Sequence, residues 1–281
     1  MSTTKGYDTL IKLTTEKLNV LIADSRHTPK FFVGRYLTRA HVTNPAPKEM
    51  TLSEVKRISA QFIDIVSIFE NIGSDIDYFT ETQGETDALE AIDAANSLMQ
   101  TTYTPIYFAA EVVVGKLTSA QKTSLRAYFN KISTVLSNAS QNPRHYKLGM
   151  YGPGNTCNYL KGYFPGLFTM SGNPQGNYST WTIKQRPKAT NEQHPTLNGV
   201  TVQVDFDETN ASNYGGWQYH SFPSTWENYG NAVRHRKECS ICHNYKYENH
   251  VPDSTGTRCT VCGFQGIIGG TQEAPDDEPT E

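Results

Sequence analysis

Thr104-Pro105-Ile106-Tyr107-Phe108-Ala109-Ala110-Glu111 is an apolar, aromatic run opened by proline and closed by a single carboxylate. Such a run reads as a strand buried on both faces, as in parallel sheets wrapped by helices. Its last residue then emerges at the strand's carboxyl end. In a β/α barrel that end carries the chemistry, because the loops there surround a cleft above a filled interior.

Working outward, the same pattern recurs. Lys5-Gly6-Tyr7-Asp8 is a short segment ending on a carboxylate, and a helix follows over 14–23. Lys30-Phe31-Phe32-Val33-Gly34-Arg35-Tyr36-Leu37 is a second buried strand, and Ile63-Asp64-Ile65-Val66-Ser67-Ile68-Phe69-Glu70 a third. Between them Thr51-Leu52-Ser53-Glu54 has the spacing of a capping box and opens a helix to about residue 62. Ala88, Leu89, Ile92, Ala95 and Leu98 recur at helical spacing, so 84–98 is an amphipathic helix. Thr118-Ser119-Ala120-Gln121 repeats the capping pattern and starts a long helix to Ser137.

A fifth strand spans 145–152, with a short helix over 156–161. Strands are expected at 166–170, 180–185 and 199–205, with little helical period between them. Eight strands alternating with helices predict a (β/α)8 TIM-like barrel, with shortened helices in the last third. The alternative is an open doubly wound sheet, but no glycine-rich phosphate fingerprint follows the first strand.

The chain has 281 residues, a formal charge of -3, and more tyrosine than phenylalanine and tryptophan together. That charge gives no support for nucleic-acid binding, and tyrosine-rich surfaces suit sugars or protein. The first residues are polar and lack the apolar core of a secretory signal, and no run is long enough to span a membrane. The expectation is a chain synthesised in the cytoplasm. If it acts at a cell wall, it arrives there by lysis or by non-classical export.

Cys239-Ser240-Ile241-Cys242 and Cys259-Thr260-Val261-Cys262 form two C-x2-C knuckles at a spacing known for zinc sites. Four thiolates bind zinc tetrahedrally and leave no open position, which predicts a structural zinc ribbon. His243 and His250 lie in the intervening loop as possible substitute ligands. Cys157 is left over and reads as a small buried hydrophobe. Arg234-His235-Arg236-Lys237 is a basic cluster able to touch phosphate or an acidic partner, or simply a solvated face. The expected division is a barrel over 1–210, a connection packing on it over 211–235 through Trp217, Tyr219 and Trp226, a ribbon over 236–268, and a disordered acidic tail over 269–281.

Gly6-Tyr7-Asp8, Phe32-Val33-Gly34-Arg35-Tyr36-Leu37, Gly84 to Ala88, Ile106 to Glu111 and Gly149-Met150-Tyr151-Gly152 occur in an order that resembles the glycoside-hydrolase-like domain of unknown function 1906. That domain is similar, more distantly, to the barrel lysozymes of glycoside hydrolase family 25. The resemblance covers about residues 4–210. In those lysozymes the fourth strand ends in Asp-x-Glu with the Glu as general acid, and acidic residues close the first and last strands. It therefore implies a peptidoglycan-directed glycosidase with Glu111 as acid and Asp8, Asp205 or Asp207 as second carboxylate. Ala109 stands where the Asp of Asp-x-Glu belongs.

Glycoside hydrolysis usually uses one protonated and one ionised carboxyl group. The apolar approach to Glu111 suits the protonated role, since burial disfavours the charged form. Glu70, Arg35, Tyr36, Tyr151, Trp181 and Gln185 are the candidate substrate-binding groups. Tyr107 is a further ring face, and Arg35 is equally a salt-bridge partner for a strand-end acid. Cys239, Cys242, Cys259 and Cys262 are the candidate metal ligands. A phage lysin or the cargo of a contractile injection system fits these expectations, with the ribbon as a docking module for a protein partner. The alternative is a non-catalytic barrel that binds glycan or serves as a structural part of a larger assembly.

Overall fold

The structure is a computed structural model, and it describes residues 3–27, 31–37, 48–172, 178–186, 192–231, 233–240, 245–265 and 268. The chain divides into two units, Met1–Tyr219 and His220–Glu281. The expected tail over 269–281 lies outside the described residues.

The first unit is a closed eight-stranded barrel. Strands β1 (Thr4–Asp8), β2 (Phe31–Tyr36), β3 (Asp64–Phe69), β4 (Pro105–Ala109), β5 (Lys147–Pro153), β6 (Phe168–Gly172) and β7 (Ile183–Arg186) run parallel in chain order. A two-residue hairpin, β8 (Thr196–Leu197) and β9 (Val200–Thr201), then intervenes. The barrel closes through β10 (Asp205–Thr209), antiparallel to both β7 and β1.

Helices α1 (Thr15–Ile22), α2 (Leu52–Ser59), α3 (Glu81–Ser97), α4 (Ser119–Ser137) and α5 (Gly154–Lys161) cover the outside of the first strands. After α5 no helix occurs among the described residues, in line with the loss of helical period in the sequence. The barrel expectation holds, with one difference. The last strand begins, rather than ends, at Asp205, and it runs antiparallel to the other seven.

Period-2 alternation sorts the side chains. Phe32, Tyr36, Val66, Ile68, Tyr107, Ala109, Tyr151, Met170 and Ile183 fill the interior as one apolar cluster. Their neighbours Tyr7, Phe31, Val33, Ile65, Phe69, Ile106 and Phe108 join a second cluster beneath the helices. Both faces of the parallel strands are thus buried, which is why they read as continuous apolar runs.

Capping sets the helix starts. Thr118 and Gln121 form the reciprocal capping box of α4. Thr80 accepts the Gln83 amide and starts α3 at Glu81, three residues before the periodic apolar positions suggest. Thr51 caps α2 by accepting the Glu54 amide at 3.4 Å, but the box is not reciprocal there. The Glu54 carboxylate instead accepts from Arg35 Nε at 2.8 Å and from the Leu13 amide at 2.8 Å.

Trp217 packs on the barrel. Its backbone bridges Ile65 and its indole Nε1–H donates to Ser67 Oγ at 2.9 Å. Tyr219 also packs against this core, whereas Trp226 belongs to the second unit, where it lies 4.3 Å from the His235 ring. That unit contains a two-stranded antiparallel sheet of β11 (Arg234–Glu238) and β12 (Tyr245–Asn249). The basic run 234–237 is therefore a strand, with Arg236 paired to Glu227 at 3.0 Å.

Candidate active site and a second cluster

The carboxyl ends of the parallel strands open into a cleft of about 450 Å³, lined among others by Asp8, Tyr36, Lys48, Glu70, Glu111, Tyr151, His194 and Asp205. β4 delivers Glu111. After the strand ends, the Ala110 amide still donates to Tyr151 O at 2.8 Å, and the Glu111 amide donates to Gly73 O at 2.6 Å. These bonds fix the backbone from which the carboxylate extends. A Cβ on Gly73 would lie 2.6 Å from Glu70 Oε1 and 3.3 Å from Glu111 Oε2. The two oxygens are therefore no more than about 6 Å apart, close enough for one charge to oppose the other.

The Glu111 carboxyl is raised above its ordinary range. Loss of water in the cleft is the main cause, and the Glu70 charge adds to it against the opposing Lys48. Lys48 forms an ion pair with Glu70 and lies 4.5 Å above the Tyr36 ring.

β1 and β10 supply the other carboxyls. Asp8 stands across from Asp205 in their register, and Gly6 across from Asp207. Because β10 is antiparallel, its first residue reaches the mouth that the other strands reach with their last. Asp205 is exposed there, whereas Asp207 points deeper and is fully buried. Asp8 is 3 % exposed, and its Oδ2 accepts from Gln185 Nε2 at 3.1 Å. Burial and the Asp205 charge push its carboxyl up to about 7. Burial also holds Asp207 well above the ordinary carboxylate range, with the charges of Asp8 and Asp205 adding to it. Gln185 reaches the Tyr151 hydroxyl at 3.4 Å, so β5, β7 and β1 are joined under the cleft.

Eight of the candidate barrel residues are thus brought together: Glu111, Asp8, Asp205, Asp207, Glu70, Tyr36, Tyr151 and Gln185. Two are not. Arg35 projects outward from β2, is 0 % exposed, and pairs with Glu54 while donating from Nη1 to Thr9 O at 2.5 Å. An odd position beside interior Gly34 and Tyr36 must face the helices. Trp181 precedes β7 and so lies at the end of that strand opposite Gln185, with Lys184 over its ring. Tyr107 is interior, its hydroxyl donating to Tyr214 O at 2.7 Å, well below the cleft. Lys48 and His194 line the cleft without any sequence signal, since both come from loops.

Asp8 links the site to stability. Its folded pKa is raised, so between about pH 4 and 7 the native state holds a proton that the unfolded chain has lost. Its contribution is full at the acid end of that window and is lost as pH rises through 7, with a slope of at most about 1.4 kcal/mol per pH unit. Asp8→Asn is expected to raise the urea midpoint at pH 8 and to leave it nearly unchanged at pH 4. An equal shift at both values would remove ionisation as the cause.

The second unit holds another cluster. His235, His250, Cys259 and Cys262 place one donor atom each within 4.8 Å of one another and could hold a metal ion. Cys239 is buried, and its Sγ accepts the Ser221 amide at 3.2 Å. Cys242 and His243 lie outside the described residues. Cys157 in the barrel is buried, and burial pushes its thiol up to about 12, as expected of an inert small hydrophobe.

The family model of the Rv2525c-like, glycoside hydrolase-like domain matches residues 24–230. The chain belongs to this family. Within the Rv2525c-like match lie Glu70, Glu111 and Asp205, whereas β1 with Asp8 precedes it and the His/Cys cluster follows it. Two curated relatives come from Bacillus subtilis (strain 168). The uncharacterized protein YbfG is 31% identical over 160 residues, which is 55% of this chain and 21% of that protein. The uncharacterized protein FadG is 28% identical over 125 residues, 44% of this chain and 21% of that one. The chain thus matches about a fifth of the length of either relative. Among solved structures, the Mycobacterium tuberculosis Tat-secreted protein Rv2525c in complex with L-tartrate superposes with a TM-score of 0.57 at 16% identity, covering 76% of this chain and 98% of that one. At that identity the likeness is one of fold. No helix among the described residues is long and apolar enough to cross a membrane.

Proposed function

We propose that this Rv2525c-like barrel is a lysozyme-type glycoside hydrolase acting on peptidoglycan. The observation that carries the reading is the convergence of Glu111, Glu70, Asp8 and Asp205 on one open cleft floored by tyrosines. Glu111, whose carboxyl is raised in the partly dry cleft, donates the proton to the leaving glycosidic oxygen. The Asp8–Asp205 pair supplies the second carboxylate, which stabilises positive charge at the anomeric carbon as nucleophile or activates water. Asp207 beneath them favours its neutral form and keeps a proton beside Asp8. Lys48 holds Glu70 against the cleft wall, while Tyr36, Tyr151 and Gln185 offer ring faces and polar contacts to a sugar.

The choice of peptidoglycan follows the lysozyme resemblance, and the barrel reaches the wall as a phage lysin or injected cargo. In this reading the C-terminal unit holds structural zinc and docks a protein partner. One observation favours a second reading, a glycan-binding barrel without activity: Ala109, 4 % exposed on the barrel interior, leaves the family-25 Asp position without a carboxylate. Purified cell walls incubated with wild type and with Glu111→Gln separate the two. Reducing ends released by wild type and lost in the variant support hydrolysis. Binding by both without release selects the second reading.

A further inference from the structure

Resting on the reading of the C-terminal unit as metal-binding, we propose that its zinc is held by His235, His250, Cys259 and Cys262, a two-nitrogen, two-sulfur set rather than four cysteines. Zinc bonds of about 2.3 Å to sulfur and about 2.0–2.1 Å to nitrogen, arranged tetrahedrally, place neighbouring S and N donors about 3.6 Å apart. Cys259 Sγ lies 3.6 Å from His235 Nδ1, and Cys262 Sγ lies 3.4 Å from His250 Nδ1. Both spacings match edges of that tetrahedron, and all four donors fall within 4.8 Å.

The surroundings orient the donors. His250 Nε2 lies 2.8 Å from Asn231 O, which accepts only if Nε2 carries the proton. The Nδ1 lone pair is then free and directed at the cluster, the arrangement in which a carbonyl fixes the tautomer of a metal-bound imidazole. The His250 ring stacks on Phe264 at 4.9 Å, and the His235 ring lies against Trp226 at 4.3 Å and at 85° to His250. The Val261 amide donates to Cys259 Sγ at 3.4 Å, and the Gly263 amide donates to Cys259 O at 3.0 Å. Gly263 takes φ +74°, closing the turn after the second cysteine.

This unit also has little else to hold it. Among its described residues the buried apolar side chains are Cys239 and Cys259 alone, and its buried polar side chains are the two cluster histidines. A two-stranded sheet without an apolar core is marginal in water, so the ion supplies much of the fold. Two sulfur and two nitrogen donors in a tetrahedron suit zinc, and four protein ligands leave no position for a reacting water. On binding, the two cysteines coordinate as thiolates and give up their protons. Cys239, whose Sγ accepts the Ser221 amide, is not among the four donors that meet within 4.8 Å.

The test uses the full chain, purified without a histidine tag from zinc-supplemented cells. Elemental analysis is expected to give one zinc per chain, and X-ray absorption at the zinc edge an average shell of two sulfurs and two nitrogens. His235→Ala and His250→Ala each lose the zinc, whereas Cys239→Ser retains it. Full zinc content with a four-sulfur shell would overturn this donor set and leave the metal-binding reading standing. Zinc below half-occupancy in wild type would overturn both.

Discussion

Glu111→Gln is expected to reduce the release of reducing ends from purified cell walls by about 10²–10⁴-fold, the contribution of a positioned general acid. The amide keeps the size of the carboxyl and cannot donate the proton. Stability should hardly move, because Glu111 is exposed to the cleft and its backbone contact to Gly73 is made through the amide that the variant keeps. Exposed substitutions of this kind stay within about 0.5 kcal/mol. Initial rates at equal enzyme concentration, with urea midpoints of both proteins, check the two halves together. A variant as fast as wild type would move the acid role elsewhere in the cleft, with Asp8 the next candidate because its carboxyl is pushed up to about 7.

The second large effect is one of stability and concerns Arg35. This side chain and Glu54 are each 0 % exposed and joined at 2.8 Å. Glu54 also accepts the Leu13 amide ahead of α1, and Arg35 donates to Thr9 O just after Asp8. The pair therefore binds β2 to α2, to the α1 approach and to the loop at the mouth. Arg35→Ala leaves the Glu54 charge buried and uncompensated, which costs about 3–5 kcal/mol. An Arg35→Met, Glu54→Leu double variant should recover most of that loss, since well-packed apolar replacements of a buried pair are often neutral. Urea unfolding of the three proteins measures it. Had Arg35 bound substrate, Arg35→Ala would lower activity at unchanged stability instead.

The Arg35 case shows where the sequence stops being legible. From the run around Phe32 to Tyr36 a buried strand is plain, and from the carboxylate after Phe108 a strand-end acid is plain, because burial on two faces demands unbroken apolar runs. Whether an arginine within such a strand points to the cleft or to a helix depends on one step of parity, and that parity is set by where the barrel interior lies. Trp181 failed as a cleft residue for a related reason: its strand carries it to the opposite end from Gln185. The capping box of α4 was readable in full since its partners are three residues apart. At α2 the same spacing was present, but a partner distant in sequence, Arg35, took the Glu54 carboxylate.

The amino-acid sequence by itself determined that eight strands alternate with capped helices over most of the barrel, that acidic residues close several of them, and that paired cysteines mark a separate C-terminal unit. These follow from local rules, hydrophobic period and short-range hydrogen bonds. Only the tertiary structure decided that β10 runs backwards and so brings Asp205 to the mouth, that Lys48 meets Glu70, and that His235, on a strand read as a basic patch, lies beside Cys259. Each of these joins residues far apart in the chain, and it is the closure of the barrel and the turning of the hairpin, not any local preference, that sets the distance between them.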